Sequence, residues 1–227
     1  MLRRVLVVPL LVASLAGCGS TESFDAHQVL QAAAGTTAAL KSVQLDLTFG
    51  SGFVVQGVEL VSATGRFRAP SDSDLVAKAK SGGGLLSPEL LTTGGKIYFK
   101  AIQLLAFQEL TADEALQYPD IARLLDKSHG LAPAIPKGRN AKLDPAEQVD
   151  GVDCYKVEAT YGPAELNDAV APLHLTDDIH VILWVAKSDH LVRRLRLQGH
   201  LFSADQTTSA EVHLHDHNSP VDIPSPG

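Results

Sequence analysis

The chain has 227 residues, 45% of them hydrophobic, and a formal net charge of −7 at pH 7. An acidic balance of this size argues against nucleic acid as a partner and against electrostatic docking on anionic lipid. The apolar content comes mainly from Leu, Val and Ala, with seven Phe, four Tyr and one Trp; a large sheet built from such side chains need not fill its own concave side.

The first stretch carries positive charge at Arg3 and Arg4, then a nearly unbroken apolar run from Val5 to Ala16. That is the pattern of an export signal. The run is shorter than the roughly 20 residues needed to cross a bilayer. It ends in Leu15-Ala16-Gly17-Cys18, a bacterial lipobox, in which the Cys18 thiol becomes a lipid thioether and Cys18 becomes the first residue. The expected organisation is a signal peptide over 1–17, a tether over 18–24 and a single domain over 25–227. The expected location is the extracytoplasmic face of the cell membrane, held by a diacyl or triacyl cysteine, since one acyl chain gives marginal binding. Arg3-Arg4 is a weak twin-arginine match, which favours the general export route. Lipidation leaves Cys154 without a disulfide partner, so a hydrophobic core must supply the stability. Cys154 lies in the alternating run Val152 to Val157, where a small buried hydrophobe is expected.

Asp25 followed by Gln28 forms a capping box. Val29, Leu30, Ala33, Ala34, Thr37 and Leu40 then recur at helical spacing, which predicts an amphipathic helix over Ala26 to Leu40. From Ser42 the period becomes two: Val43, Leu45, Leu47 and Phe49 alternate with polar residues in the clearest half-buried strand. Further strands are expected over Val58 to Ala69, Leu75 to Lys80, Leu85 to Leu91 and Lys96 to Ala101, the last two flanking the hairpin signal Gly94-Gly95. The Gly-rich turn Ser81 to Gly84 lacks the Lys and Thr of a phosphate loop. Gln103 to Leu110 reads as extended or irregular. Thr111 with Glu114 is a second capping box, opening a helix over Ala112 to Gln117 that Pro119 interrupts. Ile121, Leu124 and Leu125 share a face of the next helix, and Gly130, Pro133 and Pro136 fragment the stretch beyond it. Asp113 to Ile135 is therefore a helical insertion of short pieces, the kind of segment that can act as a lid.

Lys137 to Gln148 reads as a broken strand, Asp150-Gly151 as a two-residue hairpin turn, and Val152 to Tyr161 as the return strand. Pro163 to Val170 can form a turn or two of helix, closed by Pro172. In Ile179 to Ala186 both faces look covered, with Ile182 and Trp184 on one and Val181, Leu183 and Val185 on the other. Strands over His190 to His200 and Thr208 to His217 complete the pattern. Hairpins with one N-terminal helix and one helical insertion make an α+β fold with a large antiparallel sheet.

Few residues suggest chemistry. His213, His215 and His217 alternate, with Asp216 adjacent; on one strand face they could ligate zinc or copper, or form a solvent-facing polar stripe. No cofactor is expected. Arg193, Arg194 and Arg196 suit surface ion pairs better than an anionic headgroup. No Gly-x-Ser-x-Gly elbow and no His-Glu-x-x-His is present, and nothing assembles nucleophile, base and orienter, so an enzyme is not expected.

Three stretches together carry a resemblance. The lipobox is followed by a helix leading into Leu40-Lys41-Ser42-Val43. Asp150-Gly151-Val152-Asp153-Cys154-Tyr155-Lys156-Val157 forms a characteristic hairpin. The chain closes on Asp216-His217-Asn218-Ser219-Pro220-Val221-Asp222-Ile223-Pro224. In order and spacing this resembles the mycobacterial LppX/LprA/LprF/LprG lipoproteins, which share a fold with the LolA and LolB lipoprotein carriers. The resemblance implies a strongly curved antiparallel half-barrel sheet with helices covering the concave face. It implies an apolar cavity between them for the acyl chains of a lipid or glycolipid carried through the envelope. It transfers no catalytic motif and no individual binding residue. The His-rich last strand departs from the family pattern.

The inward faces of the clearest elements are the expected lining: Val43, Leu45, Leu47 and Phe49; Ile97 and Phe99; Leu183 and Val185; and, from the insertion, Leu116, Ile121, Leu124 and Leu125. The expected partners are an acylated ligand and the membrane, reached through Cys18, with an envelope transporter as a candidate; the protein is expected to be a monomer. The alternatives are a solid-core lipoprotein acting as an interaction or assembly partner of a transporter, and a metal-binding lipoprotein.

Overall fold

Residues 24–55, 57–101, 106–118, 121–169, 175–201 and 206–227 are described by a computed structural model of the protein. The expected signal peptide over 1–17, Cys18 and the expected tether to Ser23 lie outside these residues, as do Pro119 and Pro172.

Asp25 opens the first element as its spacing to Gln28 implies. Its carboxylate accepts the Gln28 amide at 2.8 Å, and the Gln28 side chain accepts the Asp25 amide at 2.9 Å. Two donors that a helix start leaves open are thereby satisfied. Helix α1, Ala26–Ala38, buries Val29, Leu30, Ala33 and Thr37 along one face.

The chain continues through β1 (Ser42–Phe49), β2 (Val54–Val55), β3 (Val58–Arg68), β4 (Asp72–Ser81), β5 (Gly84–Leu86), β6 (Glu89–Thr93), β7 (Lys96–Lys100) and β8 (Gln108–Glu109). The insertion then runs as α2 (Ala112–Ala115), a 3-10 turn (Ile121–Leu125), α3 (Leu131–Ala134) and a second 3-10 turn (Ile135–Lys137). Strands β9 (Arg139–Val149) and β10 (Val152–Tyr161), helix α4 (Pro163–Ala169) and strands β11 (Ile179–Ala186), β12 (Val192–Gly199) and β13 (Thr208–His215) complete the described chain. The strand expected over Leu85 to Leu91 is two strands. Pro88 separates β5 from β6 because it has no N–H to give to the ladder, although both pieces pair with β4. Asp150 and Gly151 both take positive φ, 50° and 78°, as a type I′ turn between twisted strands requires.

Among the described residues the strands form one antiparallel sheet in the order β8-β7-β6-β4-β3-β1-β13-β12-β11-β10-β9, with β2 beside β3 and β5 beside β4. The sheet is curved and not closed. Two meanders meet at β1, which pairs with β3 on one side and β13 on the other.

Register assigns the faces. Leu214, Leu45, Gly65, Leu75, Leu90 and Phe99 form one row across β13, β1, β3, β4, β6 and β7. They face the concave side, where α1 and the insertion cover the main core. On the opposite face a second cluster joins Val149, Cys154, Trp184 and Ala186, with Val152 and Ile182 packed on it. Arg194 lies over the Trp184 ring, 3.8 Å from its centre, and the Trp184 indole donates to Glu147 at 2.8 Å. Both faces of β11 are thus covered, as its unbroken apolar run suggested. The three arginines form ion pairs: Arg193 with Asp189 at 2.6 Å, Arg194 with Glu147 at 3.3 Å and Arg196 with Glu211 at 2.5 Å.

Asp25→Ala removes one side of the capping box. It is expected to cost about 1 kcal/mol and to lower the thermal midpoint by about 2–4 °C, measurable by circular dichroism.

Candidate functional site

Where the concave face meets the helical cover, the side chains leave a cavity of about 70 Å³. Its floor is Val43 and Leu45 of β1, Phe67 of β3 and Leu214 of β13, continued by Val181 and Leu183 of β11, Val192, Leu195 and Leu197 of β12, and Tyr161 of β10. Its roof is Thr37 and Leu40 at the end of α1, Leu124 and Leu125, Leu131, Ala134 and Ile135, and Leu166 of α4.

Strand alternation supplies the floor, because every second residue points inward. Gly65 lets the floor close: a Cβ there would sit 2.7 Å from the Phe67 ring and 3.2 Å from a Leu45 methyl. The roof has a different origin. Pro133, Pro136 and the glycines around them prevent a continuous helix, so short pieces lay small and branched side chains across the sheet.

Two side chains bring oxygen to this hydrocarbon lining, Thr37 and Tyr161. The Tyr161 hydroxyl donates to the Ile135 carbonyl at 2.7 Å, a buried polar tie between sheet and cover. Gly138 makes room for it, since a Cβ there would lie 2.8 Å from the hydroxyl oxygen. Burial pushes the Tyr161 hydroxyl well above its ordinary pKa. Other ties hold the cover to itself. Asp126 accepts the amides of Ser128 at 2.7 Å and His129 at 2.8 Å, which draws its carboxyl below the usual range. Arg123 approaches Asp168 of α4 at 3.5 Å. Asn167 exchanges two hydrogen bonds with the backbone of Leu175, at 3.0 and 3.1 Å.

Of the expected lining, Val43, Leu45, Leu124, Leu125 and Leu183 are brought together around this cavity. Val185 is fully buried one step beyond it in the core. Leu47 and Phe49 lie further along β1, where Phe49 packs on Phe53 at 4.3 Å between ring centres. Ile97 and Phe99 share the concave side but lie on β7, four strands from β1, and Phe99 packs on Tyr118. Ile121 packs on the core without lining the cavity. Leu116 is 70% exposed, because the short helix α2 turns it to solvent. Leu195, Leu197 and Leu214 were legible as inward partners of alternating strands. Tyr161 alternates inward with Val157 and Ala159, but the partner of its hydroxyl, like the place of Ala134 and Ile135, depends on how the broken insertion folds back.

The histidine row does not converge. His213 contacts Glu211 at 3.1 Å, and His215 lies between Asp46 at 3.4 Å and Asp216 at 2.9 Å. His217 falls past the end of β13, donates to the Val192 carbonyl at 3.1 Å and meets Arg193 through Nδ1 at 3.3 Å. Burial lowers its pKa. Among the described residues no group of three His, Cys, Asp or Glu is placed to hold a metal ion, and no helix is long and apolar enough to cross a membrane.

The family model of the LppX_LprAFG lipoproteins matches residues 25–223. The chain belongs to the LppX_LprAFG lipoprotein family. It is 24% identical to the lipoarabinomannan carrier protein LprG of Mycobacteroides abscessus, over 98% of this chain and 97% of that protein. The crystal structure of LprF from Mycobacterium bovis matches with a TM-score of 0.70 and 21% identity, covering 88% of this chain and 96% of the other. LppX from Mycobacterium tuberculosis matches with a TM-score of 0.60 and 17% identity, covering 87% and 97%. The half-barrel expected from sequence is thus the fold of this LppX_LprAFG protein, with its helices on the concave side.

Tyr161→Phe leaves the Ile135 carbonyl buried without this donor, and a loss of about 1–3 kcal/mol is expected on denaturation. The same variant changes the alkaline limb. The folded chain resists ionising this hydroxyl, whereas the unfolded chain ionises it near pH 10. Its contribution is therefore full below about pH 10 and is lost as pH rises above that value. Denaturant titrations on either side of that pH should show a smaller alkaline loss in Tyr161→Phe than in the parent.

Proposed function

We propose that this LppX_LprAFG protein binds acylated lipid or glycolipid and helps carry it through the cell envelope. In this reading Cys18 is lipidated, the signal peptide 1–17 is removed, and a domain over 25–227 is held at the extracytoplasmic face of the cell membrane. The observation that carries it is the hydrocarbon-lined cavity between the concave sheet and a cover made of short pieces. Carriage of this kind needs volume and dryness rather than reactive groups, so no catalysis is involved. The relative from Mycobacteroides abscessus is named for carrying lipoarabinomannan, and an acylated glycolipid is the same chemical class of cargo.

Volume decides how binding would work. The cavity holds about 70 Å³, about half the roughly 150 Å³ of an apolar cavity known to bind a ligand as small as benzene. A long acyl chain therefore enters only if the cover lifts from the sheet. Each buried methylene contributes about 0.8 kcal/mol, so ten of them provide about 8 kcal/mol toward opening the cover and ordering the chain. The cover is suited to moving: the roof pieces Ile121–Leu125, Leu131–Ala134 and Ile135–Lys137 have five, four and three residues. They meet the sheet through apolar side chains and the Tyr161 bond.

Mass spectrometry of organic extracts from purified protein tests the proposal. Co-purified acylated lipid is expected in stoichiometric amount. Ala134→Leu adds bulk to the roof at a cost of about 1–3 kcal/mol and should lower the recovered lipid several-fold while leaving the fold intact. Lipid-free protein, with unchanged behaviour of Ala134→Leu, would favour an interaction partner of an envelope transporter instead.

A further inference from the structure

The tether between anchor and fold is short. Six residues, Cys18 to Ser23, precede Phe24, and at full extension they span at most about 20 Å. On the proposed reading of Cys18 as the lipid anchor, on which this inference rests, the part of the fold that carries Phe24 must stay close to the bilayer. The face around Phe24 is therefore the one to inspect.

Phe24 stands among aromatic rings. Its ring centre is 5.3 Å from His190 and 6.0 Å from Tyr155, and His190 and Tyr155 stack at 6.5 Å. All three are half-buried, and Lys187 reaches over the Tyr155 ring at 5.5 Å. The β11–β12 turn that presents them is exposed at Lys187, Ser188 and Asp189. Its backbone is fixed to α1 by the Thr36 hydroxyl, which donates to the His190 carbonyl at 2.7 Å. Aromatic side chains with one polar edge suit the boundary between headgroups and acyl chains. Asp189 is already paired with Arg193 at 2.6 Å, and Lys187 is held over the Tyr155 ring, so the rings rather than an ion pair with lipid carry the contact.

We infer that the Phe24–Tyr155–His190 end of the sheet rests against the lipid surface. That places α1 and the Leu40 end of the cavity near the bilayer that would supply cargo. The opposite end points away. Strand β4 begins at the same edge of the sheet, five strands along from β11, where Asp72 pairs with Arg68 and Arg68 with Ser42. It then runs ten residues to Ser81, roughly 30 Å along the strand and away from that edge.

The test uses full-length lipidated protein in neutral phosphatidylcholine vesicles that contain a nitroxide lipid quencher. A fluorophore is attached through Ser188→Cys or, separately, through Ser81→Cys. Both sites are exposed, whereas the native Cys154 thiol is fully buried. Quenching should be several-fold stronger at position 188 than at 81. Tyr155→Ser, in protein that keeps its near-ultraviolet dichroism, should reduce that difference. Equal quenching at both positions in protein that floats with the vesicles overturns the docking face alone. Protein that does not float with vesicles overturns the lipid anchor, and the docking face with it.

Discussion

The pairing of the first long strand with the last holds this architecture together. β1 lies between β3 and β13, so one strand joins two meanders into a single curved surface. The chain end secures the junction. Asn218 accepts the Lys41 amide at 2.8 Å and donates its own amide to the Ser42 carbonyl at 2.9 Å, while the Ser42 hydroxyl donates to the Ser219 carbonyl. Because Leu45 pairs with both Leu214 and Gly65, the junction also sets the middle of the cavity floor. A register slip of one residue would turn Val43 and Leu45 outward and present Gln44 and Asp46 to the cover.

A curved sheet with one apolar face must be covered, and the nature of the cover determines what the fold can do. A long amphipathic helix would seal such a face. Here α1 covers one end, while the rest is roofed by pieces too short to be stable alone. These pieces depend on the sheet for their conformation and are joined to it mostly by dispersion and hydrophobic contact. The buried hydrogen bond from Tyr161 to Ile135 gives the contact direction. Such a roof can part from the floor without leaving many polar groups unpaired. The opposite face differs: there Trp184, Arg194 and Glu147 interlock through charge and ring, which favours a fixed surface.

Much of the sheet was legible from sequence because its signals are local. The spacing of Asp25 to Gln28, the alternation from Val43 to Phe49, the Asp150-Gly151 turn and the two-sided burial of Ile179–Ala186 each depend on neighbours in sequence. The candidate site was only partly legible, because strand alternation says which way a side chain points but not what covers it. Phe49 and Phe99 alternate inward as Leu45 does, yet they lie beyond the cavity, at the end of β1 and four strands away. Leu116 fits a helical pattern, but its helix is too short to place it against the sheet. Tyr161 reads as the end of a strand, and only the return of the insertion over Gly138 gives its hydroxyl a partner. The histidines alternate, but β13 ends at His215 and leaves His217 pointing elsewhere.

The central claim is that acyl chains lie between floor and roof, and that the roof moves to admit them. A crystal structure with a lipid carrying brominated acyl chains tests this most directly, because anomalous scattering locates each bromine. The expected result places bromines between Leu45 and Leu183 on one side and Leu124 and Ile135 on the other. The sheet backbone should be unchanged, and the Ile121–Lys137 segment displaced outward. Bromines found only on the outer surface, or a roof still closed on the sheet with lipid bound elsewhere, would contradict it.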